Sequence, residues 1–435
     1  MGRRSIVVLM LAGAVGCARA GGDADAPKAT AEVVVAWNAR ALGIAEAEDH
    51  FLTLKGVRTA AMMHVAMHDA LNAVEPRFAS YALDTHAEDA DPVAAAAQAA
   101  YAVVLDQFPS RKADLDQELD RWLASVPDGP RRTRSAALGR EAAAAILKTR
   151  EGDGWDREAQ YQWHPMGPGV YAEFHEHSGT PQGFVFGAGW AEATPFVLER
   201  ADQFRTPPPP AIQSEAYTRA YDEVRTVGRD RSEIRTSDQA HLAMWWKDFA
   251  ENSQNRLARQ LVADEQTELW RAARLFALLN MSIIDGYVHV FADKFHYNHW
   301  RPYTAIRWAA NDGNPDTTPE PDWNNLHHHT YAFPSYPSAH GTVCAAAMTV
   351  FADTYGDDHP FTMSTPEVDA AGPGSPKVAM DPPTRQFARF SDAAMECAMS
   401  RVYLGIHFRY DSTEGNALGR RIGEYAVAHA LVPAS

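Results

Sequence analysis

Three short stretches of the chain carry residue types and spacings suited to holding an oxyanion and moving protons beside it. In the stretch from Lys294 to Pro302 (KFHYNHWRP), Arg301 follows Lys294 by seven residues. Two helical turns would set both cations on one helix face. Like charges on one face repel unless an anion lies between them. Arginine offers that anion a planar fork, and lysine a point charge. The stretch from Phe333 to Gly341 (FPSYPSAHG) opens a helix. The first N–H groups of a helix are free and point outward, which favours an oxyanion there. Ser338 adds a hydroxyl, and His340 can exchange protons near neutral pH. In the stretch from Ser400 to Asp411 (SRVYLGIHFRYD), Arg401 is a further anion clamp. His407 precedes Asp411 by one helical turn, so the carboxylate can hold one ring nitrogen and leave the other for a ligand. Each piece alone has an ordinary explanation: a solvated face, a helix cap, a surface pair. Their occurrence together and in this order is far more specific.

The elements that must position these residues read as helices. Apolar residues recur at helical spacing over Phe51–Val74, Pro92–Phe108, Arg111–Val126 and Arg131–Arg150. Residues 151–198 are rich in Gly, Pro, His and aromatics and read as irregular structure. The run Thr206–Pro210 (TPPPP) is a natural boundary. Beyond it, helices are predicted over Ser214–Val227, Ser237–Ala263, Glu265–Phe295, Gly341–Tyr355, Phe387–Phe408 and Thr413–Leu431, with long loops over 311–335 and 356–386. The expected fold is all-α, two packed helical bundles. Residues 21–205 form an N-terminal helical region, and residues 206–435 a C-terminal domain carrying the oxyanion site.

Composition narrows the partners. The 435 residues are 46% hydrophobic and 22% charged, an ordinary globular balance. The net charge of -16 argues against nucleic acid and makes any cluster of cations informative. Residues 1–20 read as a secretory signal: Arg3 and Arg4, an apolar run from Ile6 to Val15, then small residues. Two cuts fit it. Ala18-Arg19-Ala20 suits ordinary signal peptidase. Ala14-Val15-Gly16-Cys17 resembles a bacterial lipobox, which would leave Cys17 as a lipid anchor. Either way the chain is expected outside the cytoplasm, in the periplasm or as an outer-membrane lipoprotein. No other apolar run reads as a transmembrane segment. Apart from Cys17, the cysteines are Cys344 and Cys397, too few for a thiolate zinc cluster.

The three stretches resemble the signature of the type 2 phosphatidic acid phosphatase and vanadium-dependent haloperoxidase superfamily: K-x6-R-P, P-S-G-H, then S-R-x5-H-x3-D. One position departs, Ala339 standing where glycine is usual. Further likeness to soluble bacterial haloperoxidases runs through Ala31–Val74, Pro195–Leu198, Asp202–Phe204, Arg235–Gln239 and Trp245-Trp246. The resemblance implies vanadate as cofactor, with phosphate in its place in a phosphatase. It implies His407 as axial ligand and Asp411 as its orienter. Lys294, Arg301 and Arg401 would neutralise equatorial oxygens. Ser338 and the N–H of Ala339 would donate hydrogen bonds, and His340 would act as acid–base group. Lys294 would also polarise hydrogen peroxide, which oxidises halide to a hypohalous species for a small organic acceptor. Phe291 and Phe333 fall at the positions where chloride-oxidising members carry aromatics, and Asp248 at the position of a carboxylate bracing a site arginine. The alternatives are an exported acid phosphatase, with His407 as nucleophile, and a non-catalytic oxyanion-binding lipoprotein.

Other residues have plainer readings. His64 and His68, one turn apart before Asp69, could ligate a metal, but packing within a helix is the simpler account. His327, His328 and His329 could bind a metal or gate an entrance, with a solvated loop as the plain alternative. His296 and His299 lie on other faces of the Lys294 helix. Cys344 and Cys397 each lie one turn from a site residue, His340 and Arg401. If those residues converge, the cysteines can form a disulfide behind the site.

Overall fold

The computed structural model describes residues 30–434, so the signal over residues 1–20 and the anchor at Cys17 lie outside the described residues. The fold is all-α. Its N-terminal part packs α1 (Glu32–Asp49), α2 (Lys55–Val74), α3 (Pro92–Gln107), α4 (Lys112–Leu123) and α5 (Pro130–Thr149). The side chain of Asp91 accepts the Ala94 N–H and Pro92 opens the first turn, which fixes where α3 begins. Helix α2 is buried nearly all round because its Ala, Gly and Met positions let α1, α3 and α5 close on it. Residues 151–198 are largely irregular, as expected, with one helical turn, α6 (His175–Ser178).

The C-terminal part contains α7 (Glu215–Val227), α8 (Ser237–Trp245), α9 (Ala250–Asp264), α10 (Leu269–Tyr297), α11 (Pro302–Trp308), α12 (Ala339–Tyr355), α13 (Phe390–Leu404) and α14 (Arg409–His429). Helix α10 packs on α2 at one side and on α12 and α14 at the other. One hydrophobic core therefore runs from Val33 to Leu431, and the proline run at 207–210 marks no gap in it. A row of buried acceptors on α10 ties down the preceding segment. Asp285 accepts the amides of Phe196, Val197 and Leu198, His289 that of Phe204, and Asp293 that of Thr206.

Two expectations need correction. The helix expected over Ser237–Ala263 breaks at residues 246–249, where Phe249 is extended and the Trp246 and Asp248 carbonyls turn to Arg401 and His340. The loop expected over residues 356–386 contains two antiparallel pairs, β1 (Phe361–Ser364) with β4 (Thr384–Phe387) and β2 (Glu367–Asp369) with β3 (Lys377–Ala379). In β1 the buried residues are Phe361 and Met363, the alternation of a strand with one covered face. Helix α10 is long and apolar enough to cross a bilayer, with mean hydropathy 1.5. Of that apolar window 94% is buried inside the fold, which accounts for it as a core helix.

Close backbone contact sets the geometry between α12 and α14. A Cβ at Gly415 would lie 2.5 Å from the Ser338 carbonyl oxygen, and one at Gly419 only 1.9 Å from that of Thr342. The glycines let α14 seat against α12, so that Ser338 N–H donates to the Asp411 carbonyl at 2.9 Å. Gly419→Ala is expected to destabilise the protein by about 1–3 kcal/mol through overpacking, read as a lower urea midpoint at unchanged slope. Cys344 and Cys397 are joined as a disulfide, with Cα atoms 6.7 Å apart and a sequence separation of 53. Closing so long a loop is expected to contribute about 2–4 kcal/mol. Protein denatured without reductant should show no thiol at these two positions, and reduction should lower the midpoint; two titratable thiols there would refute the bond.

Candidate active site

Lys294 sits in the last turn of α10 and Arg301 at the N-cap of α11. They do not share one helix face, as the spacing suggested. Asn298 takes a left-handed conformation (φ 48°) and ends α10, and Pro302 keeps Arg301 extended. The two cations still converge, because both pack over the Phe333 ring, Lys294 Nζ at 5.1 Å and the Arg301 guanidinium carbon at 4.6 Å from its centre. Lys294 Nζ donates to the Pro334 and Ser335 carbonyls at 3.0 and 2.7 Å. Arg301 donates to the carbonyls of Phe333 and Ile406 at 2.8 and 3.0 Å. Arg401, in the last turn of α13, donates to the Trp246 carbonyl at 2.7 Å.

All three cations are fully buried, and none lies within ion-pair distance of a carboxylate among the described residues. Arg301 Nη2 and Arg401 Nε and Nη2 are buried without any partner. Buried donors are rarely left unpaired. A tetrahedral oxyanion, with acceptor oxygens on every side, fits this set. At the edge of the same space Ser338 caps α12, its Oγ accepting from Gly341 N–H at 3.2 Å. Ala339 follows in the first helical turn, so the amides of Ala339 and His340 have no partner within the helix. A helical backbone accommodates a Cβ, and the alanine methyl lines the cavity where the family pattern has glycine.

His407 is held in one tautomer. Arg301 Nη1 lies 3.1 Å from His407 Nε2 and can only donate, so Nε2 keeps its lone pair toward the cations. Nδ1–H then donates to Asp411 Oδ2 at 2.9 Å, and Ser335 Oγ donates to the same oxygen at 2.5 Å. His340 Nε2 lies 3.3 Å from the Asp248 carbonyl oxygen, which leaves Nδ1 as its acceptor. Burial holds His407 well below the usual histidine range, with Arg301 and Lys294 adding to it. Burial and Arg401 push His340 down to about 3. Burial, then the Arg301 charge, lowers Lys294 well below the usual lysine range. Burial also lowers Arg301 and Arg401 to about 10. An anion among these groups would favour their charged forms.

The site forms the floor of a cavity of about 640 Å³, with Ala339, His340, Arg401 and His407 at its base. Phe291 and Phe333 line it, with ring centres 5.2 Å apart. Asp248 does not brace a site arginine. Its carboxylate pairs with Arg256, and only its backbone carbonyl reaches the site, through His340. His64 bonds Asn38 at 2.9 Å and stacks on Phe276, while His68 meets Asp69 at 3.2 Å, so both rings are packed. His327 and His329 are buried, contrary to a solvated loop, and His329 lines the cavity. His296 is exposed, whereas His299 is buried and bonds the Tyr410 hydroxyl at 2.8 Å. Cys397 Sγ lies 3.7 Å from the His340 carbonyl oxygen, so the disulfide does stand directly behind the site. Two contributors escaped the sequence reading. Ser335 is one more serine in FPSYPS, and nothing in its spacing marks it as the partner of Asp411. Lys247 donates to the Asp369 and Ala371 carbonyls and so holds residues 369–375, at the rim of the cavity.

Comparison with known proteins bears on the same segments. Residues 274–433 match a family model described as the VCPO second helical-bundle domain. The vanadium chloroperoxidase of Curvularia inaequalis is 28% identical over 174 residues, a match covering 32% of this chain and 28% of that protein. A solved structure titled as the first bacterial vanadium-dependent iodoperoxidase superposes with a TM-score of 0.74 at 22% identity, covering 93% of this chain and 98% of that one. A holo-type bacterial vanadium-dependent chloroperoxidase gives 0.64 at 16% identity, over 85% and 90% of the two chains. The chain thus has the helical fold of these vanadium-dependent haloperoxidase structures, and its residues 274–433 match the second helical-bundle domain of that family.

Proposed function

We propose that the protein binds vanadate at this site and uses it to oxidise halide with hydrogen peroxide, giving a hypohalous species. The observation that carries the reading is the set of three buried cations with orphaned donors around the Nε2 lone pair of His407. Arg301, Arg401 and Lys294 would hold the oxygens of the anion, and His407 Nε2 would face its central atom. Asp411 and Ser335 keep the proton on Nδ1, so that Nε2 stays available. His340 keeps Nδ1 free to take the proton that hydrogen peroxide must lose on binding, and to return one as product leaves. Vanadate, when bound, supplies the Lewis acidity that activates peroxide toward halide. The aromatic walls keep bulk water from the reacting groups. The disulfide between Cys344 and Cys397 and the signal-like sequence of residues 1–20 support action outside the cytoplasm.

Purified protein loaded with vanadate is expected to oxidise iodide on addition of peroxide, with bromide and chloride tested alongside. His407→Ala should lower the rate about a thousandfold and Arg401→Ala about a hundredfold. Full activity in His407→Ala would refute the site. Hydrolysis of a phosphate ester without halide oxidation would replace the reading by a phosphatase, and anion binding with neither activity by a binding protein.

Lys294 gives a second test. Its pKa is depressed without an anion and rises when one binds, so binding takes up a proton wherever the pH lies above the depressed value. Sulfate keeps its charge across neutral and alkaline pH. Its affinity is expected to fall as pH rises through that window, with proton uptake visible when calorimetry is repeated in buffers of different ionisation enthalpy. Lys294→Met should diminish the uptake; uptake undiminished in that variant would refute the assignment.

A further inference from the structure

Above the oxyanion floor the cavity is an aromatic chamber, and one stretch of its wall is built differently from the rest. Residues 371–375 line it from the tip of the β2–β3 hairpin. The tip is closed on itself. Ala370 N–H donates to the Pro376 carbonyl and Ala371 N–H to Ser375 Oγ, both at 2.9 Å. At the base of the hairpin Val368 and Met380 are buried, but none of residues 370–379 is. Gly372 rests on the His329 ring, where a Cβ would lie 2.4 Å from Cε1. Lys247 Nζ donates to the Asp369 carbonyl and, at 2.7 Å, to that of Ala371. Among the described residues these are the only hydrogen bonds that tie residues 366–380 to anything outside 361–387. The tip also separates two spaces. Behind it lies a second cavity of about 460 Å³, lined by Glu46, Asp248 and Lys377, and Gly374 and Ser375 face both.

Lys247 is 6% exposed, and no carboxylate lies within ion-pair distance of it among the described residues. It stands between the two residues whose carbonyls reach the site, Trp246 to Arg401 and Asp248 to His340. Burial lowers its pKa to about 7, with Arg401 and Lys377 adding to this and Asp369 opposing it. His327 and His329 also feel its charge. We propose that residues 370–376 form a strap that opens and closes over the chamber, latched by Lys247 and drawn tighter when an anion fills the oxyanion floor. The latch needs no bound anion; the tightening rests on the reading of the floor as an anion site. An anion beside Arg401 offsets the charge that opposes protonation of Lys247, and a charged amine donates the stronger bond to a carbonyl. By linkage, closing the strap favours the anion by the same factor. A closed strap shuts the chamber off from the second cavity, and an open one joins the two.

Hydrogen–deuterium exchange at pH 8, read on peptides, tests both parts without turnover. A lone two-stranded hairpin is marginal in water, so an unlatched tip also frays and its amides exchange. Lys247→Met fills the same space without a donor and is expected to speed exchange over residues 370–376 about tenfold. Exchange in α12 and α14 should not change, showing that the fold is intact. Sodium sulfate at a saturating level, set by calorimetry, is compared with sodium chloride of equal ionic strength. It should slow exchange of the wild-type strap about threefold and leave that of Lys247→Met unaltered. Strap exchange unchanged by Lys247→Met, or raised no more than that of α12, would overturn the latch. Equal slowing in wild type and variant, or no slowing at saturation, would overturn the tightening. Failure of sulfate to bind would remove the anion reading of the floor and the tightening with it, and leave the latch to stand or fall on the first comparison.

Discussion

The structure is organised around a cluster of like charges with no carboxylate at ion-pair distance among the described residues. Lys294, Arg301 and Arg401 are buried side by side, and Asp411, the nearest acid, is committed to His407, Ser335 and the Phe408 amide. Taking an ion out of water costs several kcal/mol even after relaxation. Backbone carbonyls offset part of this cost: Pro334, Ser335, Phe333, Ile406 and Trp246 each turn an oxygen to one of the cations. The Phe333 ring, facing two of them, adds a diffuse negative face. These supports are dipoles, not charges. They hold the side chains in place without satisfying them, and a net positive site remains for an anion to complete.

Holding dipoles and charges in register requires stiff surroundings. The carbonyls come from three places far apart in sequence: the 246–249 break, the 333–335 turn and the end of α13. Each is fixed by packing behind it. Glycines on α14 bring Asp411 against Ser338, the disulfide ties α12 to α13, and buried acceptors on α10 fasten the 196–206 segment. The long α10 is apolar for the same reason. It lies at the centre of one core, with α2 on one side and α12 and α14 on the other, and so has almost no solvent face.

The residues of the site were legible in the sequence because cations, histidines and a helix start at fixed spacings have few common explanations. Their relation in space was less so. Counting two turns from Lys294 to Arg301 assumed a continuous helix, and a left-handed Asn298 before His299 and Trp300 breaks it. Helical periodicity carried through 237–263 because Trp246 and Phe249 are apolar on both sides of the break. The strand pairs within 356–386 were hidden by Gly, Pro and Asp, residues that argue against regular structure even where four-residue strands form. Asp248 shows the limit of aligning by type: a carboxylate stands at the expected place, yet its charge is spent on Arg256 and its contribution is a carbonyl.

The aromatic chamber has no signature at all, since its walls come from residues 51, 186, 190, 249, 287, 291 and 333. Only folding brings them together, and that has a consequence for how such a site divides its work. The oxyanion floor is written in short motifs because charges and hydrogen bonds act over fixed distances and tolerate little change. The chamber above it needs mainly flat apolar surface, a requirement many combinations of Phe, Tyr and Trp can meet. A common reaction centre can therefore persist while the space over it is rebuilt. In this chain, what distinguishes the protein from others with the same floor should be sought in the walls of the chamber before the cation cluster.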